Sequence, residues 1–169
     1  MGEISFWLDV YDDIFSDFDP RSYHKRRLSE DFLDEIKAAF KYHKNHTEGL
    51  VLLLPRERRK EEIEEGIINQ VKTQLQLRLD NAARKEKKML RRGLALLVSG
   101  VLIMYIDSLI TVKGYNGQLM VMLRIVMEPG SWFMMWTGLD ALFYDYREAR
   151  METAFYKKII ALKMRFENI

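Results

Sequence analysis

The sequence predicts a membrane α-helical hairpin of two transmembrane helices, joined to a small cytosolic α/β domain built from both chain ends. Three observations lead there. Residues 93–112 (GLALLVSGVLIMYIDSLITV) and 119–144 (LMVMLRIVMEPGSWFMMWTGLDALFY) are apolar runs long enough to cross a bilayer. Basic residues crowd the outer flanks of this pair, whereas the turn between them holds only Lys113. Strand-like segments lie at opposite ends of the chain, around a breaker-bounded apolar run, GLVLLLP, at 49–55. The competing reading is a soluble protein with a buried helical hairpin. Two long apolar runs with basic and aromatic flanks, in a chain of 169 residues, argue against it.

Residues 1–55 read as strand, helix, strand. ISFWLDV (4–10) is β-prone, and YDDIFSDFDPR then supplies turn formers at Ser16, Asp17, Asp19 and Pro20. Ser29 is a suitable N-cap, and Glu30 and Asp31 suit the positive end of a helix dipole. Phe32, Leu33, Ile36 and Phe40 recur at helical spacing, which predicts an amphipathic helix over 30–44. The run at 49–54 is apolar throughout. It predicts a buried strand covered on both faces and paired with at least one of the segments 4–10 and 163–168.

Residues 56–92 predict a long amphipathic stalk helix of roughly 55 Å. Ile63, Ile67, Val71 and Leu75 step by four along one narrow stripe. QLQLRLD within it alternates like a strand, but Gln, Leu and Arg are good helix formers and the flanks agree. No breaker precedes Gly93, so this helix can run directly into the first span, 93–112. A turn at 113–118 follows, then a second span at 119–144 kinked at Pro129. Residues 145–169 close the chain with a cytosolic helix and a C-terminal strand.

Composition limits function. The net charge of +2 makes the chain no general ligand for nucleic acid. Charge is uneven: residues 1–20 are acidic, and RKEKKMLRR at 84–92 is basic. With no cysteine there is no disulfide, thiolate metal site or cysteine nucleophile. The N-terminus lacks the basic and apolar parts of a secretory signal, and position 6 is Phe where myristoylation prefers Ser or Thr. Membrane attachment is therefore expected from inside the chain. By the positive-inside rule Arg84, Lys85, Lys87, Lys88, Arg91, Arg92, Arg147, Arg150, Lys157 and Lys158 place both termini in the cytoplasm of a cell (inner) membrane.

The two spans carry a pattern of their own. If the hairpin folds between Tyr115 and Asn116, residues whose numbers sum to 231 lie at equal depth. Asp107 then faces Arg124, Gly100 faces Ser131, and Gly93 faces Gly138. Each series steps by seven, which keeps it on one face of a left-handed helix pair. The same register sets Arg91 against Asp140 at the inner boundary. Glu128 follows Arg124 by one turn and is expected to share its guanidinium or to accept from Tyr105. A kinked helix with Glu128 in a polar cluster is the plainer reading. The sharper one makes Glu128 and Arg124 line an ion path in an oligomer. Trp132 and Trp136 form an aromatic stripe suited to packing or lipid contact.

FSDFDPR (15–21), LSEDFLDEI (28–36), LVLLLP (50–55), the long basic helix and the two spans resemble, in this order, a family of small uncharacterised prokaryotic membrane proteins. In that family the second span carries a glutamate, then W-x-x-x-W, an acidic residue and an L-[FY]-Y-D-[WY]-like ending. Here these are Glu128, Trp132, Trp136, Asp140 and LFYDY (142–146). Pro129 departs from the pattern. The resemblance implies no activity.

Other candidates are weaker. His43, His46 and Glu48 have a spacing that zinc can use, but they also suit a helix C-terminus. Asp12, Asp13, Asp17 and Asp19 lack the glycine and terminal glutamate of a calcium loop, and are expected to make turns and pair with Arg21, Lys25, Arg26 and Arg27. No phosphate-binding loop, dinucleotide fingerprint or nucleophile elbow is present. The basic run Arg84, Lys85, Lys87, Lys88, Arg91 and Arg92 suits anionic lipid headgroups. The expectation is a non-enzymatic, homo-oligomeric structural or interaction protein without cofactor, whose partners are the bilayer and a cytosolic protein. The alternative is an oligomeric ion channel or a transport accessory subunit.

Overall fold

The computed structural model describes residues 2–23, 25–42, 47–114 and 117–169, with the backbone alone at Thr47 and Glu48. The fold is mostly helical, with one long apolar helix and a small three-stranded parallel sheet. Two compact units result: residues 1–80 with 154–169, and residues 81–153. The second is inserted into the connection that leaves the sheet after Leu54 and returns to it at Lys163.

In the first unit, strands β1 (Gly2–Trp7), β2 (Thr47–Leu54) and β3 (Lys163–Asn168) pair in that order, all parallel. The wholly apolar strand takes the centre, and both chain ends pair with it. Helix α1 (Glu30–Tyr42) connects β1 to β2. In register, Ile4, Leu50 and Met164 form one row, and Phe6, Leu52 and Phe166 the next. Period-two alternation points these rows to one face. There Phe6 meets Phe32 of α1 edge-on at 6.3 Å, and Phe166 meets Tyr11 at 5.5 Å. Leu50, Leu52 and Leu54 are fully buried, each contributing about 1.5–3 kcal/mol by burial.

The other face differs from the expected second layer. Glu3, Ser5, Trp7, Lys163, Arg165 and Glu167 of the outer strands are exposed on it. Instead of a covering element, Arg165 reaches across β2 and donates through both terminal nitrogens to the Glu3 carboxylate, at 2.8 and 2.7 Å. Val51, placed between Ser5 and Arg165 in the register, is buried in its shelter. Gly49 leaves the room: a methyl group there would stand 3.1 Å from Glu3 Oε1.

Several boundaries move. The first strand ends at Trp7 and the first helix at Tyr42, with residues 43–46 outside the described residues. Arg56–Arg58 form a 3-10 turn after Pro55. The expected stalk and first span are one uninterrupted helix, α2 (Glu61–Val112), because nothing between them breaks the helical ladder. Gly114 adopts the left-handed φ of +67° that ends it, while Tyr115 and Asn116 lie outside the described residues. Helix α3 (Gln118–Asp140) runs through Pro129. A π-helical turn follows at Ala141–Asp145, before α4 (Tyr146–Ala161).

The structure supports the spans unequally. Among the described residues only α2 is long and apolar enough to cross a membrane by length and composition; α3 falls short in apolar content. Arg124, Glu128, Pro129, Gly130 and Ser131 dilute its centre.

Two polar networks hold the first unit. Glu64, buried on α2, accepts from Arg59 Nε and Nη2 at 2.8 Å each and from the Tyr11 hydroxyl at 2.9 Å. Lys60 N–H donates to that hydroxyl at 2.8 Å, and Arg59 Nη1 donates to Asn168 Oδ1 at 2.8 Å. The network thus ties the start of α2 to both chain ends. The loop 15–28 is organised by Asp19, which accepts from Arg21 Nε and Nη2 at 2.8 and 2.7 Å and from Arg27 N–H at 3.0 Å. Asp12 pairs with Arg26, whose Nε also donates to the Asp19 carbonyl at 2.6 Å. The acidic N-terminal residues therefore serve turns and ion pairs.

The arginine hydrogen bonds hold the carboxyls of both Glu64 and Asp19 below the ordinary range, against the opposing effect of burial. Such groups bind protons less readily folded than unfolded. Their stabilisation is complete above the ordinary carboxylate range and is lost as pH falls through the lower folded values. We therefore expect the stability of the first unit to be flat from neutral pH to about 5 and to drop below about pH 4. Tyr11→Phe should cost about 1.5–3 kcal/mol at pH 7 by removing a hydrogen bond to a charged group. Denaturant titration followed by near-ultraviolet circular dichroism of the packed aromatic residues Tyr11, Phe15 and Phe166 reads both; stability that rises on acidification would contradict the assignment.

Candidate functional site: the seam between the hairpin helices

In the second unit, α2 beyond Asn81 lies antiparallel to α3 along a seam of small residues. A methyl group on Gly138 would stand 2.7 Å from the Leu97 backbone nitrogen and 2.9 Å from the Gly93 carbonyl oxygen. One on Gly93 would meet Leu142 Cγ at 2.7 Å, and one on Gly100 would meet the Ser131 carbonyl oxygen at 2.9 Å. Two backbones can approach this closely only where side chains are absent or minimal. The Ser131 hydroxyl, buried in the seam, donates to the Glu128 carbonyl one turn back at 2.8 Å.

Nearer the turn, Arg124 Nε donates to Asp107 Oδ1 at 3.2 Å. Asp107 is mostly covered and Arg124 about one-third exposed. The structure thus brings together Asp107 with Arg124, Gly100 with Ser131 and Gly93 with Gly138, three of the four expected pairs whose residue numbers sum to 231.

Two expected contacts are not made. Glu128 is exposed and makes no ion pair or side-chain hydrogen bond among the described residues, neither with Arg124 nor with Tyr105. The i, i+4 spacing would let Arg124 and Glu128 meet, but the guanidinium is turned across the seam onto Asp107 instead. Arg91 and Asp140 are likewise exposed and form no ion pair among the described residues. At their level the backbones meet through Gly93 and Gly138, and both charged side chains point outward.

The basic run lies on the same unit. Arg84, Lys87, Lys88 and Arg91 are spaced i, i+3, i+4 and i+7, on one exposed face of α2, with Arg92 beside them. Lys85 is spent on Glu152, at 3.5 Å. Trp132 and Trp136 are exposed on α3. His43 and His46 lie outside the described residues, as does the side chain of Glu48. Among the described residues no group of three or more histidine or carboxylate side chains could hold a metal ion.

Sequence reasoning missed the buried carboxylate. The buried stripe of α2 runs Glu64, Ile67, Val71, Leu75, with Ile63 only half-buried beside it. Glu64 lies three residues before Ile67 and seven before Val71, which places it on the apolar face, and that spacing was the available signal. Comparison with protein-family models, with curated proteins and with solved structures gave no match.

The pair Asp107–Arg124 should behave as a coupled unit. Asp107→Asn and Arg124→Gln should each lower thermal stability in detergent by about 1–2 kcal/mol. The double variant should lose clearly less than the sum, because it leaves no orphan charge. Strict additivity across this cycle would mean the two do not interact.

Proposed function

We propose that this chain is an integral membrane protein of two spans, the apolar part of α2 and the antiparallel α3, carrying a cytoplasmic α/β domain. It acts as a non-enzymatic structural or interaction protein of a cell membrane. The observation that carries the reading is the uncovered apolar surface of α2. In its most apolar 18-residue window, 6% is buried within the chain. Val98, Val101, Leu102, Ile106 and Leu109 are exposed there. A core helix of a soluble protein buries such residues, and a contiguous apolar surface of this extent marks a lipid or protein contact.

The seam supports the second span. Because α3 is docked along the apolar part of α2, whatever surrounds one surrounds the other. Its outward residues are apolar too: Val121, Met122, Ile125, Val126 and Phe133 are exposed. Its charged Arg124 is turned onto Asp107. The exposed face Arg84, Lys87, Lys88, Arg91, with Arg92, lies just before this apolar surface on α2, where cytoplasmic anionic headgroups would meet it. The resemblance to small prokaryotic two-span membrane proteins belongs to the same reading.

The native chain has no cysteine, so single cysteines report topology cleanly. Tyr42→Cys and Ile169→Cys should label only after the membrane is permeabilised, and Lys113→Cys should label in intact cells. Cytoplasmic labelling at position 113 would overturn the two-span reading.

A further inference from the structure

We propose that the hairpin pairs with a second copy of itself through Glu128 and Arg124, each copy's Arg124 bridging its own Asp107 and the other copy's Glu128. The proposal rests on the membrane reading above and names the partner of that same surface.

Three observations lead to it. Glu128 is an exposed carboxylate at the middle of α3, with no partner among the described residues and with exposed Ile125 and Trp132 around it. In hydrocarbon such a charge is costly and is found facing protein or water. Arg124, one turn away on the same helix, commits only Nε to Asp107; its two terminal nitrogens make no hydrogen bond among the described residues. Guanidinium can serve two carboxylates because it carries five donors in one plane.

Charge and symmetry then agree. Each hairpin carries an unsatisfied acceptor at Glu128 and unsatisfied donors at Arg124, about 6 Å apart along the helix axis. Within one helix they do not meet, because Arg124 is turned onto Asp107. Two copies inserted in the same direction and related by a two-fold axis along the membrane normal keep each residue at its own depth, so the other copy's Arg124 lies about 6 Å along the axis from Glu128, a step these two long side chains can bridge. A two-fold interface is self-complementary, so the contact of Glu128 with the other Arg124 occurs twice. Ile125 and Trp132, at i−3 and i+4 from Glu128, extend the same face. Val126 and Phe133 lie on the far side of α3.

Disulfide cross-linking of single-cysteine variants in membranes tests this. Ile125→Cys should give a cross-linked dimer, whereas Val126→Cys and Phe133→Cys should not. Adding Glu128→Leu to Ile125→Cys should reduce the dimer about tenfold, the equivalent of one interhelical polar contact. The Glu128 side chain makes no hydrogen bond or ion pair among the described residues, and the carbonyl that accepts from Ser131 is untouched by the substitution, so the leucine variant keeps the seam; the Asp107–Arg124 double-variant cycle repeated on it verifies this. Equal cross-linking at all three positions, or undiminished dimer with Glu128→Leu, overturns the pairing. A carbonate wash of the same membranes separates the two claims. Chain that stays in the membrane without cross-linking refutes the pairing alone. Chain released by the wash refutes the membrane reading and the pairing with it.

Discussion

At Gly138 two helices touch through their backbones, with Leu97 N and the Gly93 carbonyl closer than any side chain would allow. Much of the second unit follows from that approach. Because Gly93, Gly100 and Ser131 repeat the small-residue pattern, the helices stay in contact along the seam rather than crossing at one point. Continued to the turn, the register puts Asp107 against Arg124. The ion pair is thus a consequence of the seam, and it removes much of the cost of two charges on an apolar surface. What the seam leaves outside is also determined: apart from Met135 and Leu142, which pack against its glycines, many of the large apolar side chains of both helices are exposed, Val98, Val101, Leu102, Ile125 and Val126 among them.

The first unit depends on a different constraint. Parallel strands need a crossover, and the crossover between β2 and β3 contains the whole second unit. The two chain ends meet only because β1 and β3 both pair with the central strand. Polar contacts then fasten them, Glu3 with Arg165 across the open sheet face and Arg59 with both Glu64 and Asn168 at the start of α2. The sheet needs no second layer, because an ion pair lying over Val51 does the work of one.

Local patterns made a good deal of this legible. The apolar run at 49–54 called for at least one strand partner, and both strand-like chain ends supply one, although the expected cover on its second face is replaced by an ion pair. The small residues and the opposed charges, stepping by seven, encoded the seam before any coordinates. Other features depend on direction and context that spacing does not carry. Arg124 and Glu128 stand at a pairing distance in sequence, yet Arg124 is taken by Asp107 across the seam. Arg91 and Asp140 share a depth but not a face. Glu64 reads as one more charge on a solvated helix, until Tyr11 and Arg59, remote or non-periodic in sequence, are seen around it. The second span looked as long as the first, but its central arginine, glutamate, proline, glycine and serine make it less apolar than length suggests.

The central claim is that the hairpin packs inward through its small residues and meets lipid with everything else. Spin labels on single cysteines along both helices of the membrane-reconstituted protein test it most directly, with oxygen and a water-soluble nickel complex as relaxants. The account predicts high oxygen and low nickel accessibility at Val98, Val101, Leu102 and Ile125, which are exposed, and low values for both at Leu97 and Met135, which line the seam. Nickel accessibility as high at Val101 and Ile125 as at Lys113 would contradict it, because those residues would then face water.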